Sequence, residues 1–225
     1  MARARTTKGT SNRPYARVGD VGLVERRRAQ IVEAATRLVA RQGFAKTVVR
    51  DIADEASISV GLVYEYVRSK EDILFLIYEH WSAVWRDGLE KALAQSADPL
   101  ARIEDAVNFL VKTSDKYSDV THLYYREGGH LSDQGKELAK QTERQMLDML
   151  LEPINDAVTA GLLRPETDTS VVAISLILLC HGYVLKGYLL RKDHTPAAYA
   201  AAVVDTAIQG WATPAGRKAW ERRRG

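Results

Sequence analysis

Apolar residues recur along this chain with the 3.6-residue period of helices, and polar or helix-breaking residues cut the pattern at short intervals. From Glu25 onward, Ile31, Ala34, Ala35, Leu38 and Val39 share one face, and Gly43 follows as a stop. The next stretch, "TVVRDIADEASISVGLVYEYVRSKED" over 47–72, holds two short stripes separated by a polar break at Glu55-Ala56-Ser57. Thr47 is placed to cap the first, with Val48, Ile52 and Ala53 as its inward face. Ser59 is placed to cap the second, which holds Leu62, Val63 and Tyr64. Ser69 with Asp72 forms a capping box that opens a long helix over 69–95, striped by Ile73, Ile77, Trp81, Val84 and Trp85.

Later helices are punctuated in the same way. Asp98-Pro99 and Thr195-Pro196 each set a capping residue before a proline at the first helical position. A helix runs from about Ser132 to Gly161, Pro165 follows in the gap, and helices over 168–192 and 196–211 come next. Strand-like alternation, repeats and low-complexity tracts are missing, so the expected fold class is all-α with about nine helices.

Two short helices joined by a tight turn behind a longer one make a helix-turn-helix, in which the second helix projects its first residues into a major groove. The same pattern also fits a plain αα-hairpin with Tyr64 as an amphipathic surface residue. Charge adds to the first reading. The net charge is only +3, but residues 1–28 hold eight Lys/Arg against Asp20 and Glu25, and residues 217–225 hold five against Glu221. The body between is therefore acidic and the two ends basic, which suits a polyanion touched by terminal arms. The expected organisation is a flexible basic arm over 1–22, a helix-turn-helix domain over 23–70, an effector-binding and dimerisation domain over 71–213, and a basic tail over 214–225.

The single cysteine, Cys180, excludes an internal disulfide and a cysteine-built metal site, and fits a reducing cytoplasm. The N-terminus shows no apolar stretch behind its basic residues, so no secretory signal is read. The apolar run over 171–190 is interrupted by His181 and Lys186 and loosened by Gly182 and Gly187. It reads as a buried interface helix, not a membrane span.

The stretch "RRAQIVEAATRLVARQGFAKTVVRDIADEASISVGLVYEYVRSKEDIL" resembles the DNA-binding domain of TetR/AcrR-type transcriptional regulators. Gly43, Phe44, Thr47, Val49, Ile52, Ala53, Ala56, Ser59, Gly61, Tyr64 and Lys70 fall in the family register. The resemblance implies an all-α homodimer on double-stranded operator DNA. It implies that Thr47, Tyr64 and Lys70 touch phosphates and that residues 58–64 read bases. The candidate DNA-binding set is Thr47, Val48, Arg50, Ser59, Val60, Gly61, Leu62, Tyr64, Tyr66 and Lys70. Two departures stand out: Ser57 where the family has its turn glycine, and Tyr66-Val67 where it has His-Phe.

In the second half, Tyr124, Tyr125, Arg126, Glu127 and His130 crowd around a Gly128-Gly129 break. They read either as an ordinary helix end or as a pocket wall, where aromatics give apolar area and Arg or His fixes an anionic group. His122, Glu127 and His130 lack metal-ligand spacing, so no metal and no cofactor are expected. His181 reads first as a core or interface histidine. "YYREGGHLS", "AGLLRPETD" and the apolar helix after them resemble the effector domain of a TetR subgroup that controls fatty-acid and sterol catabolism and responds to acyl-CoA thioesters. Candidate ligand contacts are Tyr124, Tyr125, Arg126, Glu127, His130, Arg144, His181 and Tyr183. Ile174, Leu178 and Trp211 are expected in a four-helix dimer interface. The function expected is a repressor released from a palindromic operator by a small hydrophobic or acyl-CoA effector. An all-α enzyme built on Tyr124, Arg126, Glu127 and His130, or an effector-independent DNA-binding protein, are the alternatives.

Overall fold

The computed structural model describes residues 21–224 and consists, over these residues, of eleven α-helices and one 3-10 turn. The expected basic arm therefore lies almost wholly outside the described residues. Helices α1 (Val21–Gln42), α2 (Val49–Glu55) and α3 (Val60–Tyr66) form the N-terminal unit, and α4 (Lys70–Leu93) leads away from it. Then come α5 (Pro99–Lys116), α6 (Ser118–Glu127), the 3-10 turn Gly128–His130 and α7 (Asp133–Thr159). The chain ends with α8 (Thr169–Leu185), α9 (Gly187–Leu190), α10 (Pro196–Trp211) and α11 (Pro214–Arg224).

The caps explain most of these boundaries. Ser59, Asp98, Ser132, Asp168 and Thr195 each accept a backbone N–H from the first turn of the helix that follows, and Ser69 with Asp72 closes a reciprocal capping box. Gly43 ends α1 at φ +82, a backbone conformation that any side chain would strain.

Two apolar cores result. One joins Ile31, Ala35, Leu38, Phe44, Ile52, Ala53 and Val63 to Ile73, Ile77, Trp81 and Trp85 of α4 and Val120 and Leu123 of α6. The second gathers α5, α7, α8, α10 and Trp220 of α11. The first core crosses from the helix-turn-helix into the second half of the chain, so α4 and α6 are packed as part of the reading head's support.

Three local expectations change. Thr47 does not cap α2: Val48 holds that position without a side-chain bond, and the Thr47 hydroxyl donates to the Gly43 carbonyl at 2.9 Å. Val48 points outward, 50% exposed, because it lies before the helix in extended backbone (φ -119, ψ 157) and so does not follow the helical period that would align it with Ile52. The helix count rises from about nine because Lys186 breaks the 168–192 segment and residues 214–224, expected as tail, form α11. That helix is held by Trp220, whose indole N–H donates to Asp205 at 2.8 Å. A Cβ on its Gly216 would lie 2.0 Å from the Leu162 carbonyl oxygen, so only glycine permits this approach.

Candidate nucleic-acid interface and effector cavity

The turn between α2 and α3 is built on Ser57, at φ 54 the one non-glycine residue with positive φ among the described residues. Its neighbours close the turn: Ser57 N–H donates to Asp54 at 3.0 Å and Ile58 N–H to Ala53 at 2.9 Å. The Gln30 side chain holds the Ala56 carbonyl from α1, and Arg37 of α1 bonds Glu55 at 2.9 Å. Ile52, Ala53 and Val63 are buried beneath the turn, so the second helix leaves the first at an angle fixed by packing.

This geometry leaves one side of the unit open. Val48, Arg50, Ser59, Gly61 and Tyr64 are exposed, and Tyr64 is 54% so despite its large ring. Val60, Leu62 and Tyr66 are half-buried, with Val60 and Tyr66 packed on the core. Thr47 is buried at 1% exposure and acts inside the turn. The Lys70 ammonium donates to the Ala45 carbonyl at 2.9 Å and lies 4.5 Å from the Phe44 ring centroid. Thr47 and Lys70 thus brace the α1–α2 turn, while Val48, Arg50, Ser59, Gly61 and Tyr64 form the accessible surface.

A cavity of about 470 Å³ opens between α6, α7 and α8. Met146, Leu147, Ile174, Ile177 and Leu178 give it apolar walls, and Lys140, Glu143 and Arg144 stand exposed on α7. Tyr125 and His181 close one side, with the Tyr125 hydroxyl 2.9 Å from His181 Nδ1. Burial pushes the His181 imidazole down to about 4, so at neutral pH the ring is uncharged and exchanges a single hydrogen bond with Tyr125.

The sequence-derived cluster divides among three places. Tyr125, Arg144 and His181 line the cavity. Tyr124 turns instead onto α4, its ring 4.1 Å from Tyr78 and 4.9 Å from Trp85. Arg126, Glu127 and His130 face the end of α1, where Glu127 accepts the Phe44 N–H at 3.3 Å. Tyr183 is buried, donates to the His194 carbonyl at 2.8 Å and pairs with Tyr199, away from the cavity. The reason is rotational: consecutive helical residues point about 100° apart, so 124–127 cannot all face one pocket.

Ile174 and Leu178 both line the cavity and stand 46% and 55% exposed, on a side of α8 that also exposes Val171. Trp211 is half-buried against the second core. Sequence reasoning missed Lys140, Glu143, Met146, Leu147 and Ile177. The spacing 140, 143, 144, 147 was the available signal, since it marks one helix face. No group of His, Cys, Asp and Glu among the described residues is arranged to hold a metal ion, and none of the described helices is long and apolar enough to cross a membrane.

A helix-turn-helix with an open recognition face, joined through a long helix to a helical domain with a ligand-sized cavity, is the build of an effector-linked DNA-binding regulator. The family model for bacterial regulatory proteins of the tetR family matches residues 31–81, and that for the tetracyclin repressor-like C-terminal domain matches residues 96–211. The chain belongs to the tetR family of helix-turn-helix transcriptional regulators, which are not enzymes. It is similar to the HTH-type transcriptional regulator HbdR of Aromatoleum sp. (strain CIB), 29% identical over 202 residues that cover 90% of this chain and 88% of that protein. Its fold is similar to the Bacillus subtilis regulator FadR in complex with stearoyl-CoA, with a TM-score of 0.71, 16% identity and coverage of 81% and 98% of the two chains. AibR in complex with isovaleryl coenzyme A and operator DNA is similar at a TM-score of 0.69, with 21% identity and coverage of 80% and 97%.

Proposed function

We propose that this protein is a cytoplasmic homodimeric repressor that releases a palindromic operator when an acyl-CoA or similar amphiphile enters the α6–α7–α8 cavity. The observation that supports the ligand class most is the cavity's composition. Five aliphatic or Met side chains form the wall, and Lys140 and Arg144 offer cationic groups on α7. The volume suits an acyl chain and leaves the nucleotide outside, where a guanidinium can hold phosphate through paired bonds. FadR with stearoyl-CoA and AibR with isovaleryl coenzyme A and operator DNA, both of the same fold, support the same class.

The dimer reading rests on α8. Its seventeen residues, Thr169–Leu185, include no Asp, Glu, Lys or Arg, yet Val171, Ile174, Leu178 and Leu179 are exposed. A two-fold pairing through α8 and α10 covers that surface. It also sets two α3 helices on successive major-groove faces of a pseudo-palindrome, with Val48, Arg50, Ser59, Gly61 and Tyr64 toward the DNA. The basic residues before α1 then add phosphate contacts.

Thermal melting against a series of acyl-CoAs of increasing chain length tests the ligand class, because a ligand selective for the folded state raises its stability. The expected result is a rise in Tm that grows with chain length and shrinks in Arg144→Ala. A Tm indifferent to every acyl-CoA contradicts the proposal.

A further inference from the structure

Glu127 was expected in the ligand pocket. Instead it is a carboxylate, 7% exposed, at the joint between the effector half and the helix-turn-helix. Its Oε1 accepts the Phe44 N–H at 3.3 Å and is 3.5 Å from Arg126 Nη2, and its Oε2 is 3.8 Å from His130 Nε2. Arg126 reaches past it to the Val39 carbonyl in the last turn of α1, at 3.3 Å, and the His130 ring stands 5.5 Å from Phe44. The end of α6 therefore grips the end of α1.

The gripped turn is a junction. Thr47 closes it through the Gly43 carbonyl, and Lys70, at the start of α4, bonds Ala45 and covers Phe44 from another side. Beyond it begins α2. On α6, Tyr125 is two residues before Glu127, so the two side chains leave the helix about 200° apart. One forms the cavity wall through His181, and the other holds the turn that carries the reading head.

We infer that Glu127 is a positioning residue that couples cavity occupancy to DNA binding: a shift of Tyr125 turns α6, and α6 moves the Gly43–Thr47 turn through the Glu127–Phe44 bond. Glu127 touches neither DNA nor effector. The inference rests on the proposal that the cavity is the effector site, but its first test does not need an effector.

That test is a double-mutant cycle on operator affinity in the full chain, measured by fluorescence anisotropy with Tyr125→Ala, Glu127→Ala and both, alongside thermal melts of each. Glu127→Ala is expected to weaken operator binding roughly tenfold, because the buried Phe44 N–H loses its partner in the DNA-competent arrangement. Glu127→Gln, which keeps an oxygen acceptor, is expected to restore most of that loss and serves where the alanine variant folds poorly. The double variant is expected to depart from additivity by at least about threefold, although the two side chains lie on opposite sides of α6. Additive effects, or a Glu127→Ala affinity equal to wild type, overturn the inference. Stearoyl-CoA then separates the two readings. If wild type responds to it, Glu127→Ala is expected to bind stearoyl-CoA with unchanged affinity and to lose most of the operator response, and an unreduced response overturns the inference. If wild type does not respond, stearoyl-CoA is not the effector and the cycle alone decides the coupling.

Discussion

Tyr78 and Tyr124 lock α4 to α6 reciprocally: each hydroxyl donates to the other residue's backbone carbonyl at 3.1 Å, with ring centroids 4.1 Å apart. Ser82 completes the arrangement, its hydroxyl 2.8 Å from that of Tyr124. Burial raises both phenols far above their ordinary value, so they remain neutral donors at any working pH. Tyr124→Phe is expected to destabilise the fold by about 1–2 kcal/mol, since it leaves Ser82 and the Tyr78 carbonyl short of a partner. On a chain of this size that corresponds to a fall in Tm of roughly 2–8 °C, which calorimetry would read directly.

Ser57 at φ 54 gives a second expectation, with opposite sign. Glycine adopts that backbone without a Cβ conflict, so Ser57→Gly should be neutral to stabilising, by up to about 1 kcal/mol. Ser57→Val should destabilise by more than that, because a β-branched residue is poorest at positive φ. Urea denaturation of the three proteins orders them; a valine variant as stable as wild type contradicts the strain argument.

His181 makes stability depend on pH. Its folded value lies at about 4, below the ordinary 6.5, so the unfolded chain binds the extra proton first. The sign follows: no penalty above about 6.5, then a loss that grows as pH falls toward about 4, reaching an order of 3 kcal/mol. His80, also lowered by burial, acts in the same direction. His181→Gln should flatten the stability profile between those two pH values. A profile as steep as wild type would assign the dependence elsewhere.

The parts of the fold visible in the sequence are those set by local chemistry. Ser59, Ser69 with Asp72, Asp98 and Thr195 cap the helices they were expected to cap, because a cap needs only its own next turn. Thr47 failed as a cap since the Gly43 carbonyl, set by the turn, competes for its hydroxyl. The joint was hidden for a different reason. Glu127 and Phe44 are 83 residues apart, and periodicity cannot pair them. The cavity was half visible: Tyr125, Arg144 and His181 were named, but Met146, Leu147 and Ile177 were not, because only the packing of α7 against α8 brings them to one wall.

Tyr64 offers a hydroxyl on the open face of α3. Tyr64→Phe should weaken binding to specific and non-specific duplexes by the same factor, as loss of a phosphate contact does. A change in base preference with affinity retained would instead make it a base reader.

The central claim, that one cavity controls one DNA-binding face, is tested most directly by measuring the linkage both ways. Operator affinity is titrated with and without a saturating acyl-CoA, and acyl-CoA affinity with and without saturating operator. The two factors must be equal, and a hundredfold effect corresponds to about 2.7 kcal/mol of coupling. The account predicts equal, large and opposing factors. An acyl-CoA that binds the cavity and leaves operator affinity unchanged would contradict it.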